Sequence, residues 1–117
     1  MSTTEHYLKM AVDLARQNAD SGGRPFASVI VKDGKVVATA VNNVAATGDP
    51  TAHAETEAIR AAAKTLKSEQ LHGCVLYASG HPCPMCLAAN WSALTPASGP
   101  ATPWSHGFTH VSHVISI

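Results

Sequence analysis

The sequence predicts an α/β domain in which a sheet is flanked by helices, and three observations carry that expectation. Apolar residues recur at helical spacing near the N-terminus and again after residue 51. Between these stretches, two short runs rich in β-branched side chains flank Asp33-Gly34, a strong hairpin-turn dipeptide. A further apolar run, bounded by Gly73 and Gly80, has the length and composition of a buried strand.

The elements follow in chain order. Ser2-Thr3-Thr4-Glu5 fits a capping box, and Leu8, Ala11, Val12 and Ala15 continue at helical spacing. A first helix is expected over residues 3 to 20, ended by Gly22-Gly23. Residues 26 to 32 and 35 to 41 form the two arms of the hairpin, and residues 42 to 50 form a loop. Asp49-Pro50-Thr51 offers cap residues and a proline, so a second helix is expected from Ala52 to Leu66, burying Ile59, Ala62, Ala63 and Leu66. Arg60, Lys64 and Lys67 sit toward its C-terminal end, where the helix dipole favours cations, and read as a solvated face. Cys74 to Ser79 is the buried strand, with Cys74 a core residue rather than a ligand. Pro84 opens a third helix carrying Met85, Leu87, Ala88 and Ala89.

Beyond that point the composition changes. From Gln70 to Ile117 there is no Lys, Arg, Asp or Glu. Thr95 to His106 is rich in Pro, Ser, Thr and Gly and reads as irregular, and only Thr109 to Ile117 has strand-like composition. The organisation expected is therefore one domain over residues 1–94 and an atypical tail over residues 95–117. An abrupt change inside a helix reads as a frameshift, truncation or splice variant, with the 74–79 strand left as an exposed apolar edge.

The chemistry concentrates in Thr51-Ala52-His53-Ala54-Glu55 and Pro82-Cys83-Pro84-Met85-Cys86. Two Cys three positions apart share one face of a helical turn and can grip one ion. His53 completes three protein ligands for Zn²⁺ and leaves the fourth tetrahedral position to water, the arrangement of a catalytic rather than a structural zinc site. Glu55, two residues after the ligand, points elsewhere and suits proton transfer between water and substrate. Asn42 and Asn43 follow a strand, where a carboxamide can read the edge of a purine or pyrimidine or make a turn bond. His106, His110 and His113 match no metal-site spacing.

The pair His-x-Glu and Pro-Cys-x-x-Cys is the known signature of zinc-dependent nucleobase deaminases. The sequence resembles the cytidine deaminase-like superfamily, in its guanine deaminase and tRNA adenosine deaminase branch. Besides the two motifs, Pro25-Phe26, Val29-Ile30-Val31-Lys32-Asp33-Gly34 and Asn42-Asn43-Val44 carry the resemblance, which covers roughly residues 4 to 89. It implies a three-layer fold, a mixed sheet packed between helices, with the C-terminal strands and helices of the family missing or altered here. It also implies Zn²⁺ on His53, Cys83 and Cys86, catalysis by Glu55, and substrate contacts from Asn42, Phe26 and the backbone near Ala54. The family commonly forms dimers, so a homodimer is expected. Two departures are Ala27, where relatives commonly carry Gly, and His81, where many carry Glu.

Composition narrows the substrate. Eight Lys and Arg balance eight Asp and Glu, so no global attraction to nucleic acid or membrane is expected. A small nucleobase, guanine-like, is the expected substrate, with hydrolytic release of ammonia. The alternatives are an inactive zinc-binding fragment, a tRNA adenosine deaminase, and a redox-active Cys-x-x-Cys. Three Cys, two of them in that motif, suit a reducing cytoplasm, and neither a signal peptide nor a membrane span is expected.

Overall fold

The computed structural model describes residues 3–68, 71, 73–80 and 114–116. The first helix, α1, spans Thr3–Asp20. Two strands follow, β1 (Ala27–Lys32) and β2 (Lys35–Val41), then a short helix α2 (Val44–Thr47) and the longer helix α3 (Ala54–Leu66). Strand β3 is Cys74–Ala78 and β4 is Val114–Ser116. The sheet order is β2-β1-β3-β4, and each of these ladders is antiparallel.

The hairpin joining β1 and β2 turns on Asp33 and Gly34, both at positive φ (52° and 75°). That backbone matches the right-handed twist of the paired strands, and glycine adopts it without a Cβ penalty. β1 lies between β2 and β3 and alternates its side chains between two layers. Ile30 joins Leu76, Cys74, Ala58, Ala62 and Leu71 on the α3 side. Val29 and Val31 join Tyr77, Tyr7 and Ala11 on the α1 side. Both faces of the central strand are therefore buried, which produces the three layers expected for the family.

The helix seams differ from the sequence expectation in detail. α1 buries Tyr7, Ala11 and Ala15, spaced four apart, whereas Val12 is turned outward. The seam follows Tyr7, whose ring packs at a 40° tilt against Tyr77 with centroids 5.1 Å apart and whose hydroxyl donates to the Gly34 carbonyl at 3.1 Å. In α3 the expected stripe contains Ala62, but Ile59, Ala63 and Leu66 are only partly covered. Buried positions are most frequent at the helix start, at Ala54, Glu55, Thr56 and Ala58, and Ala58 and Ala62 carry the helix's contact with the core.

Three further differences have physical causes. The expected 42–50 loop contains α2, closed by Gly48 in the left-handed region with its N–H on the Val44 carbonyl. α3 starts at Ala54 instead of Ala52, because Asp49, Pro50 and Thr51 form a turn ahead of it and His53 is the N-cap. The outer edge of β3 is paired rather than exposed: Val75, Leu76 and Tyr77 face Ser116, Ile115 and Val114 of β4. β4 falls within the 109–117 stretch singled out for its β-branched residues. The Pro84 helix and residues 95–113 of the tail lie outside the described residues. Among the described residues, no helix is long and apolar enough to cross a membrane.

Candidate active site

His53 is held by the turn that precedes α3. The Asp49 carboxylate accepts from the Thr51 N–H at 2.8 Å and the Thr51 hydroxyl at 2.7 Å. The Thr56 hydroxyl is shared between the Thr51 and His53 carbonyls, at 2.6 and 2.9 Å. Arg60 reaches Thr51 Oγ1 at 3.4 Å and pairs with Glu57. From the other side, the Asn43 N–H donates to the Ala52 carbonyl at 2.8 Å. The backbone on both sides of the imidazole is thus pinned before any ligand arrives.

The turn also has a defined electrostatic character. Hydrogen bonds from the Thr51 hydroxyl, and then from its N–H, hold the Asp49 carboxyl below its ordinary value, and Arg60 adds to the effect. A depressed folded value gives a stabilisation that is complete above the unfolded carboxyl pKa of about 3.9 and is lost as pH falls through the folded one. Asp49→Asn retains an acceptor oxygen without the charge. Thermal melts across pH should therefore show the variant less stable than the parent at neutral pH, with the gap closing in acid. A gap that widens in acid would contradict this assignment.

Glu55 occupies the first turn of α3 and is 7% exposed. Its Oε1 accepts from the Ser28 hydroxyl at 3.3 Å, and among the described residues it has no ion-pair partner. His53 contributes no side-chain cap to the helix, so the N–H groups of the first turn, at Ala54 and Glu55, receive no capping acceptor from it. Ala54 is itself fully buried.

Asn42 and Phe26 lie at the end of the β1–β2 ladder that the Asn43–Ala52 backbone bond ties to the turn before α3. The Asn42 N–H donates to the Phe26 carbonyl at 3.0 Å where β1 and β2 meet. Asn42 is 6% exposed, and its Oδ1 accepts from the Val44 N–H at 3.1 Å. The turn bond thus uses the carbonyl end, and the NH₂ end has no partner among the described residues. Asn42 lines a cavity of about 280 Å³ between the end of α1 and α2, together with Asn18 and Asn43. Phe26 is 43% exposed, and its ring lies against Gly80, where an added Cβ would sit 3.4 Å from the ring.

The structure therefore gathers Phe26, Asn42, His53, Ala54 and Glu55 around the start of β1, the end of β2 and the start of α3. Cys83 and Cys86 lie outside the described residues. Cys74 stays apart from the group: it is fully buried in the core, and that burial raises its thiol above the ordinary value. The described part of the site is compatible with zinc, since His53 caps the helix whose first turn carries the buried Glu55, although among the described residues no group of three ligating side chains is present. Two sequence signals were passed over. One is Ser28, a lone hydroxyl in the otherwise apolar run from Ala27 to Val31; the other is Thr56, which fastens the turn below His53.

Comparison with known proteins agrees with this arrangement. The family model for the cytidine and deoxycytidylate deaminase zinc-binding region matches residues 1–95, and the chain belongs to that zinc-dependent family. Among its relatives, the guanine deaminase of Bacillus subtilis (strain 168) is 55% identical over 86 residues, covering 73% of this chain and 55% of the relative. The tRNA-specific adenosine deaminase of Aquifex aeolicus (strain VF5) is 42% identical over 85 residues, covering 73% and 56%. The X-ray structure of the Bacillus subtilis guanine deaminase superposes with a TM-score of 0.76 at 50% identity, covering 81% of this chain and 61% of that one. A structure from work on A-to-I editing by tRNA:A34 deaminases gives 0.75 at 35% identity, covering 80% and 72%. The chain spans 55% and 56% of the length of the two curated relatives.

Proposed function

We propose that the chain is a hydrolytic nucleobase deaminase acting on a guanine-like free base. The observation that carries the reading is the buried Glu55 carboxylate at the same helix end as the His53 imidazole, with no described cation to neutralise it. His53, Cys83 and Cys86 would hold Zn²⁺, and the bound ion would supply acidification of a water molecule near neutral pH. Glu55 takes the proton from that water and delivers it to a ring nitrogen. The hydroxide left behind attacks the ring carbon bearing the exocyclic amine; Glu55 then takes the proton of the new C–OH group and passes it to the amine, so that ammonia leaves as the C=O bond forms. Asn42 offers its NH₂ to the base edge, the Ala54 N–H offers a donor at the start of α3, and the Phe26 ring offers a face for stacking.

Guanine is favoured by the likeness to the Bacillus subtilis guanine deaminase and by the balanced charge of the chain. Lys9 pairs with Asp13 and Arg60 with Glu57, so neither adds to a basic track for a phosphate backbone. The likeness to tRNA adenosine deaminases supports the second reading. Ammonia release from guanine, cytosine, adenine and tRNA by the zinc-loaded chain distinguishes the two. Turnover of guanine that is insensitive to added salt is the expected result; turnover of tRNA alone, falling steeply with salt, would reverse the choice. Two ligating thiolates also suit a reducing compartment such as the cytoplasm.

A further inference from the structure

Ser28 is fully buried on β1, the strand enclosed by β2 and β3, and faces α3. Its neighbours across both ladders are alanines, Ala40 on β2 and Ala78 on β3. Small side chains on either side leave room above Ser28, and the Glu55 carboxylate fills it, with Oε1 3.3 Å from the Ser28 hydroxyl. A buried hydroxyl in an apolar layer requires a partner, and here that partner is Glu55, among the described residues the one acidic group buried at the candidate site.

We propose that Ser28 is a positioning residue for Glu55. The hydroxyl fixes one carboxylate oxygen to the sheet and leaves the other turned to the reacting groups. This inference rests on the deaminase reading. Glutamate has three side-chain torsions, and a proton carrier must return to the same place after each transfer. A donor on the central strand supplies a fixed reference, because that strand is bonded on both sides. Nothing in this role requires Ser28 to touch substrate, so its loss should act on turnover and not on substrate affinity.

The test uses the full chain loaded with zinc. Ser28→Ala should lower kcat about 3- to 10-fold, the range for one buried hydrogen bond, with KM and bound zinc unchanged. Unfolding of Ser28→Ala, Glu55→Ala and the double variant, measured without metal, gives an independent readout. The effect of Ser28→Ala on the unfolding constant should shrink about 3- to 10-fold once Glu55 is already alanine. An unchanged kcat, a loss carried entirely by KM, or additive effects in the unfolding cycle would each overturn the proposal. Absence of turnover in the parent chain would instead overturn the deaminase reading, and the unfolding cycle would still decide whether Ser28 holds Glu55.

Discussion

Glu55→Ala is expected to lower turnover by about 10²- to 10⁴-fold, the contribution typical of a positioned general acid–base, while the protein retains stoichiometric zinc. The two halves of this expectation have separate grounds. The loss follows because the carboxylate is 7% exposed in the first turn of the helix that His53 caps, and no other acid among the described residues is buried there to substitute for it. The retention follows because the proposed ligands are His53, Cys83 and Cys86, and the described hydrogen bond of Glu55 goes to Ser28 and not to His53. Folding should survive as well. The lost bond to Ser28 is a single hydrogen bond, worth about 0.5–1.5 kcal/mol, while the hydrogen bonds of the turn before the helix do not involve the Glu55 side chain. Metal analysis beside ammonia release checks both halves. Loss of zinc in the variant would make Glu55 a ligand, and full activity would remove it from the chemistry.

Much of this architecture was legible from the sequence, for identifiable reasons. Asp33-Gly34 admits few backbone geometries, so the hairpin and its register of Lys32 opposite Lys35 follow almost directly. The strand Cys74–Ala78 could be read because glycines bound an apolar run of strand length. Membership of the zinc-dependent family was equally readable, since His-x-Glu followed by Cys-x-x-Cys is its signature. What the sequence hid was tertiary in origin. The burial of Tyr7 in place of Val12 depends on Tyr77, which lies 70 residues away on another strand. The pairing of β4 with the far edge of β3 is a long-range contact, and nothing local to residues 114–116 specifies it. The start of α3 was misplaced because Asp49-Pro50-Thr51 has the composition of a helix cap. Asp49 spends that capacity on Thr51, two residues ahead, in a turn of its own. Ser28 was missed because a single serine in a strand carries no local sign of what it faces.

His53→Ala is the second large effect expected, and its signature differs from that of Glu55→Ala. Removing one of three protein ligands should weaken zinc binding by more than about 100-fold, the upper end for residues that only support a ligand, and turnover should vanish with the metal. The site's construction sharpens the expectation. The turn bearing His53 is fixed by Thr56, Asp49 and Asn43 through backbone carbonyls, N–H groups and Thr51, none of which needs the imidazole. The N-cap position likewise gains no side-chain cap from His53. Added zinc should raise the parent's melting temperature well above that of the metal-free parent, and should raise the variant's far less, because only the parent's folded state binds it tightly. Removing zinc from the parent with a chelator should reproduce the variant's loss of turnover, and restoring zinc should reverse it in the parent alone. The decisive measurement is zinc titration of both proteins. If His53→Ala takes up zinc as tightly as the parent, the imidazole is not a ligand, and the helix end that gathers His53 and Glu55 is organised around something other than the metal.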